Sequence, residues 1–134
     1  MKIFLAHAFT GQDIDLVLAT TRLIVDALGS QGHEVYCGRF DNEAIKLQKE
    51  EDTKAIFNLA FKNIKDSEAI VAVVTSPNRS IGQIMEIGVA MSQGKPVYLF
   101  EHKSAEGSSY LPRLVDKHFI WESEDELLEA LKSV

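Results

Sequence analysis

Ala69-Ile70-Val71-Ala72-Val73-Val74-Thr75 runs straight into Ser76-Pro77-Asn78-Arg79-Ser80-Ile81-Gly82-Gln83-Ile84-Met85-Glu86-Ile87-Gly88. The first six residues are apolar on both alternating sets, the pattern of a strand buried on two faces. From Ser80 a helical pattern reaches about Gln93, where Gly94-Lys95-Pro96 ends it. A buried strand that feeds a helix is half of a parallel crossover unit. Its strand-to-helix corner is where open α/β sheets bind ligands.

The same alternation extends to both sides. Ile3 to Ala8 is an apolar strand interrupted only by His7, and Thr10-Gly11-Gln12-Asp13 breaks it, with Asp13 placed to cap a helix. Ile14, Val17, Leu18, Ile24, Val25 and Leu28 recur at three-and-four spacing until Gly29 and Gly32, and Glu34 to Cys37 is a short strand. Residues 38 to 52 are polar and mixed; Asn42 or Asp52 caps a helix reaching about Asp66, with Ile56, Leu59, Ala60, Asn63 and Ile64 on neighbouring faces. Beyond the central unit lie a strand at Val97 to Phe100, a Ser- and Gly-rich loop at Lys103 to Ser109, and a turn at Leu111 to Leu114. A last strand spans His118 to Trp121, and Glu122 to Asp125 opens a terminal helix with acids that suit its dipole. Parallel strands need crossovers, so the pattern predicts one α/β domain over residues 1–134. The expected architecture is a flavodoxin-like or Rossmann-like three-layer fold with a five-stranded parallel sheet.

Bulk properties narrow the function. A chain of 134 residues with 46% apolar side chains supports one real core. A net charge of −6 argues against a nucleic-acid polymer as partner, although a single small nucleotide needs only a few donors. The single cysteine, Cys37, forms no intramolecular disulfide and fits a reducing, cytoplasmic setting. No apolar run approaches membrane-spanning length, so no membrane partner is expected.

Within the corner, Ser80-x-x-Gln83 reads as a capping box. The same helix N-terminus offers backbone N–H groups to a phosphate, and Asn78 and Arg79 add donors. On a helical wheel Ile81, Ile84, Met85, Gly88 and Val89 share one face, and Glu86 lies opposite, between the small residues Gly82 and Ala90. Periodicity therefore places Glu86 toward solvent. Beside a cleft, however, such a carboxylate can attack an anomeric carbon and form a glycosyl ester. His7 reads first as a core histidine. No His/Cys spacing suits a metal, and neither a G-x-G-x-x-G nor a phosphate-binding Gly-Lys loop is present, so no metal or cofactor is expected.

The block Met85-Glu86-Ile87-Gly88-Val89-Ala90-Met91-Ser92-Gln93-Gly94-Lys95-Pro96-Val97 after the central strand, with the opening Lys2-Ile3-Phe4-Leu5-Ala6, resembles the nucleoside 2-deoxyribosyltransferase family. That superfamily includes 2′-deoxynucleoside 5′-phosphate N-hydrolases. The resemblance implies a flavodoxin-like fold, a homodimer or higher homo-oligomer, and N-glycosidic bond cleavage through Glu86 as nucleophile. It implies a nucleoside or nucleotide substrate held by Ala6, His7, Phe9, Gly11, Ser80 and Gly82. Ser80, Arg79 and Ser109 tilt the choice toward a 5′-monophosphate, Ser109 reaching a neighbouring subunit's phosphate. Three positions depart from the family pattern: Ala60 stands where an Asp is usual, with Asn58 and Asp66 nearby, His7 replaces a Gly, and Ile84 replaces a small residue. Two other readings stay open, a non-catalytic nucleotide-binding or signalling module and a TIR-like NAD-cleaving domain. The latter rests on Phe4-Leu5-Ala6-His7-Ala8, Asp13 and Gly32-His33-Glu34-Val35.

Overall fold

A computed structural model describes residues 1–8 and 13–134. Five strands, β1 (Lys2–His7), β2 (Glu34–Tyr36), β3 (Ala69–Val74), β4 (Val97–His102) and β5 (Lys117–Trp121), form one sheet in the order β2-β1-β3-β4-β5. Every neighbouring pair is parallel, so the predicted α/β fold with a five-stranded parallel sheet is borne out. Helices α1 (Ile14–Ser30) and α5 (Glu124–Leu131) cover one face. They bury Ile24, Leu28, Leu127 and Leu131 against Ile3, Leu5, Val71, Val73 and Phe100. The opposite face is covered by α3 (Thr53–Asp66) and α4 (Ile81–Ser92), whose Ile64, Ile87 and Ala90 pack on Phe4, Ile70, Ala72 and Leu99. β3 is buried at all six positions, as its unbroken apolar run requires of a central strand.

The expected single helix before β3 is two helices. Asp41, not Asn42, caps α2 (Asn42–Lys49) by accepting from Glu43 N at 3.3 Å, and Asp52 caps α3 by accepting from Ala55 N at 3.1 Å. Between them Glu51 takes φ +55°, a left-handed turn unusual for a side chain with a Cβ. The mixed composition of residues 38 to 52 hid this break, because α2 is short, polar on average and buries no residue fully. Asp13 caps α1 as predicted, accepting from Leu16 N at 3.2 Å. Lys95 Nζ donates to the carbonyls of Lys65 and Ser67, tying the loop after α4 to the end of α3. No helix among the described residues is long and apolar enough to cross a membrane.

Candidate active site

Ser80 caps α4, its Oγ accepting from Gln83 N at 3.2 Å, but the other half of the predicted capping box is absent. The Gln83 side chain is 2% exposed and turns inward instead. Its amide nitrogen donates to Ala6 O at 2.9 Å and Val73 O at 2.8 Å. Those carbonyls belong to β1 and β3, the strands between which the order of the sheet reverses. Two carbonyls at this switch point thus share one side-chain donor.

This anchoring sets the rotation of α4 and reverses the face expected from periodicity. Gln83, Ile87 and Ala90 point to the sheet, while Ile81 is 77% exposed and Ile84, Met85 and Gly88 also face outward. Glu86 lies on the edge of the buried face together with Gly82, one turn earlier. It is half-buried, not solvent-facing, and both residues line a cavity of about 290 Å³.

The cavity opens beside the C-terminal ends of β1 and β2, bounded by α2, α3 and the first turns of α4. Phe57 and Ala60 of α3 form one wall, and Tyr36, stacked on Phe4 at 5.4 Å between ring centroids, forms another. Glu86 is the one carboxylate among the described lining residues, and burial pushes its pKa up to about 7. Burial pulls the lining His7 down to about 4, so its imidazole is neutral, and Nδ1 lies 2.6 Å from Thr21 Oγ1. The Cys37 thiol is pushed up by burial. Tyr36 is pushed up too, by burial and then by its 2.9 Å hydrogen bond to Asp41 Oδ2.

Among the predicted site residues, His7, Ser80, Gly82 and Glu86 meet at this cavity. Ala6 is buried beside it and contributes its carbonyl to Gln83. Phe9 and Gly11 lie outside the described residues. Arg79 turns away from the cavity, its guanidinium 3.9 Å from Glu101, a fully buried carboxylate that His118 Nε2 also contacts at 3.3 Å. Ser109 sits on the loop after β4, accepting from Leu111 N at 3.3 Å, and is absent from the lining of its own chain's cavity. Ala60 does line the cavity, whereas Asn58 and Asp66 are exposed. Sequence reasoning missed Tyr36, Arg39 and Phe57. Tyr36 had a usable signal, its place at the C-terminal end of a strand beside the switch point.

The family model described as nucleoside 2-deoxyribosyltransferase matches residues 3–126. Among solved structures, the chain is similar to the CMP N-glycosidase BcmB of Clostridium botulinum, with a TM-score of 0.72 and 20% identity over 99% of this chain and 98% of that one. It is similar to a 2-deoxyribosyltransferase of Bacillus psychrosaccharolyticus, with a TM-score of 0.65 and 19% identity over 98% and 96% of the two chains. A conserved protein of Enterococcus faecalis V583 matches with a TM-score of 0.61 and 20% identity over 98% and 97%. At these identities the structural likeness establishes the fold. Among curated protein sequences, none matches the chain significantly.

Proposed function

The chain belongs to the nucleoside 2-deoxyribosyltransferase family, and from that membership we propose that it cleaves the N-glycosidic bond of a nucleoside or nucleoside 5′-monophosphate, with Glu86 as nucleophile. One observation carries the reading: among the described residues Glu86 is the single carboxylate at the cavity, half-buried, on the helix that opens at the switch point. A carboxylate oxygen of Glu86 attacks C1′ and the base leaves with the electron pair of the C1′–N bond. The glycosyl ester is then resolved by water or by a second base. The N-terminus of α4, with Ser80, supplies donors for a 5′-phosphate. The chemistry needs no metal or cofactor, and a cavity of about 290 Å³ suits one nucleotide rather than a polymer.

A second copy of the chain belongs to this reading. Ile81, Ile84 and Met85 on α4 and Tyr110 near Ser109 are exposed apolar side chains, a surface that pairing of two subunits would bury. Size-exclusion chromatography tests it: the native chain elutes as a homo-oligomer and Met85→Glu as a monomer.

Base release from a panel of ribo- and deoxynucleosides and their 5′-monophosphates tests the chemistry. The expected outcome is release from at least one of them, abolished in Glu86→Gln; unchanged release in that variant would sink the assignment. Ala60 favours a second reading, a nucleotide-binding module without turnover, because it lines the cavity where the family usually carries an Asp. A nucleotide that raises the melting temperature but is never cleaved would select that reading. Nicotinamide release from NAD would select the TIR-like one.

A further inference from the structure

We propose that Tyr36 sets the choice of nucleobase, its phenolic oxygen accepting a hydrogen bond from an exocyclic amine such as cytosine and adenine carry. The inference rests on the reading of the cavity as a nucleoside site with Glu86 at C1′. It begins with the hydroxyl hydrogen of Tyr36, which is donated to Asp41 Oδ2 at 2.9 Å. A carboxylate only accepts, so the direction of this bond is fixed. Asp41 is held in turn, because its other oxygen, Oδ1, accepts from Glu43 N at 3.3 Å as the cap of α2. Burial first, and then Asp41, push the phenol's pKa up, so the hydrogen stays on Tyr36. What the oxygen still offers a ligand is a lone pair, and only a donor answers it.

The cavity reaches that oxygen. Tyr36, Gly38 and Ala44 all line it, and a Cβ placed on Gly38 would stand 4.0 Å from the Tyr36 oxygen and 4.0 Å from Ala44 Cβ. The φ of Gly38 is not in the left-handed region, so its backbone does not call for glycine. The missing side chain instead leaves room beside the oxygen. Tyr36 also stands on the right face of the sheet. It packs against the same core as Ile87, the residue after Glu86 on α4, and its ring stacks on Phe4 of β1. Only β1 lies between β2 and β3, the strand that feeds α4, so the two are about 10 Å apart across the sheet. That span suits a nucleoside whose C1′ sits at Glu86 and whose base extends toward β2. Ile45, Ile56 and Phe57 supply apolar walls for its flat ring.

Other polar lining side chains answer different needs. Arg39 donates only, Ser80 Oγ and the Gln83 amide are engaged at the start of α4, and Gln48 is exposed. Glu86, an acceptor too, is committed to C1′. A base with a carbonyl in place of the amine, as in uracil or hypoxanthine, would set two acceptors against each other there. It would strip water from the Tyr36 oxygen and return no hydrogen bond, which costs affinity.

The test is binding to Glu86→Gln, which forms no glycosyl ester, by isothermal titration calorimetry. The probes are nucleosides and 5′-monophosphates in pairs that differ only in the amine: cytosine against 2-pyrimidinone, and adenine against purine. In at least one pair the amine should tighten binding about five- to tenfold, the worth of one hydrogen bond. Adding Tyr36→Phe, which keeps the ring on Phe4, should bring that ratio close to one. Gly38→Ala should do the same, because it fills the space beside the oxygen and keeps the bond to Asp41. A ratio near one for both pairs in Glu86→Gln overturns the assignment, as does a ratio that Tyr36→Phe leaves intact. If Tyr36→Phe instead erases only a preference between ribose and deoxyribose, the oxygen serves the sugar and the assignment is overturned too. If Tyr36→Phe does not fold, Gly38→Ala decides: loss of the ratio supports Tyr36, and its persistence overturns it. Base release by the native protein keeps the two readings apart. No release with the amine ratio intact overturns Glu86 as nucleophile and supports Tyr36, release with a ratio near one does the reverse, and no binding of any probe overturns both.

Discussion

Burial removes water from the Glu86 carboxyl and pushes its pKa up to about 7. The proposed attack on C1′ needs the carboxylate, so base release should climb with pH through a midpoint of about 7 rather than reach its plateau near pH 5. A pH–rate profile checks this. Ala60→Asp sharpens the expectation, because a second carboxyl at the cavity supplies acid–base help and raises turnover by up to about 10²–10⁴-fold. The like charge would also push the midpoint above that of the native protein. Steady-state kinetics of the two proteins across pH read both effects. Glu86 was legible in the sequence only through its motif. Its burial was not, because the wheel was oriented by apolar content and a polar residue, Gln83, holds the inward position.

At the scale of the element, strands were the most legible part of the chain. β3 is apolar throughout and β1 from Ile3 to Ala6 because both faces are covered, and such runs have few alternative readings. α4 was correctly bounded by Ser80 and Gln93, yet its orientation came out reversed. Hydrophobic periodicity assumes that one face is dry and the other wet, and α4 carries apolar side chains on the face that this chain leaves uncovered. The bonds from Gln83 to Ala6 and Val73 decide the rotation, and they join residues 77 and 10 positions apart, contacts no local pattern contains. Gln83→Leu removes the side-chain donor that two buried carbonyls share and should cost roughly 1–3 kcal/mol, measurable by urea denaturation. Because the same bonds aim Glu86, its base release should fall further than that loss of stability explains at temperatures where the variant is fully folded.

Across the whole molecule, the two buried groups at the cavity act on stability with opposite signs. Glu86 rises from 4.5 to about 7 on folding, so its contribution is present below pH 4.5 and is lost as pH rises through 7. His7 falls from 6.5 to about 4, so its contribution is present above pH 6.5 and is lost as pH drops through 4. Between pH 4.5 and 6.5 the two slopes oppose each other. Removing one group should unmask the other: over that window Glu86→Gln gains stability with rising pH, and His7→Asn loses it, each relative to the native protein in thermal melts. The parallel topology itself was legible from the alternation of strands and helices, whereas the cavity was not, since it arises where α2 and α3 meet the start of α4. Those walls are held unequally. The wall made by β1 and α4 is pinned through Gln83, while α2 buries no side chain completely. Backbone amides of residues 42–49 should accordingly exchange with deuterium faster than those of residues 81–92, by hydrogen-exchange mass spectrometry. The cavity has a jamb and a door: α4 is fixed to the sheet through Gln83, while α2 is the wall that buries no side chain completely.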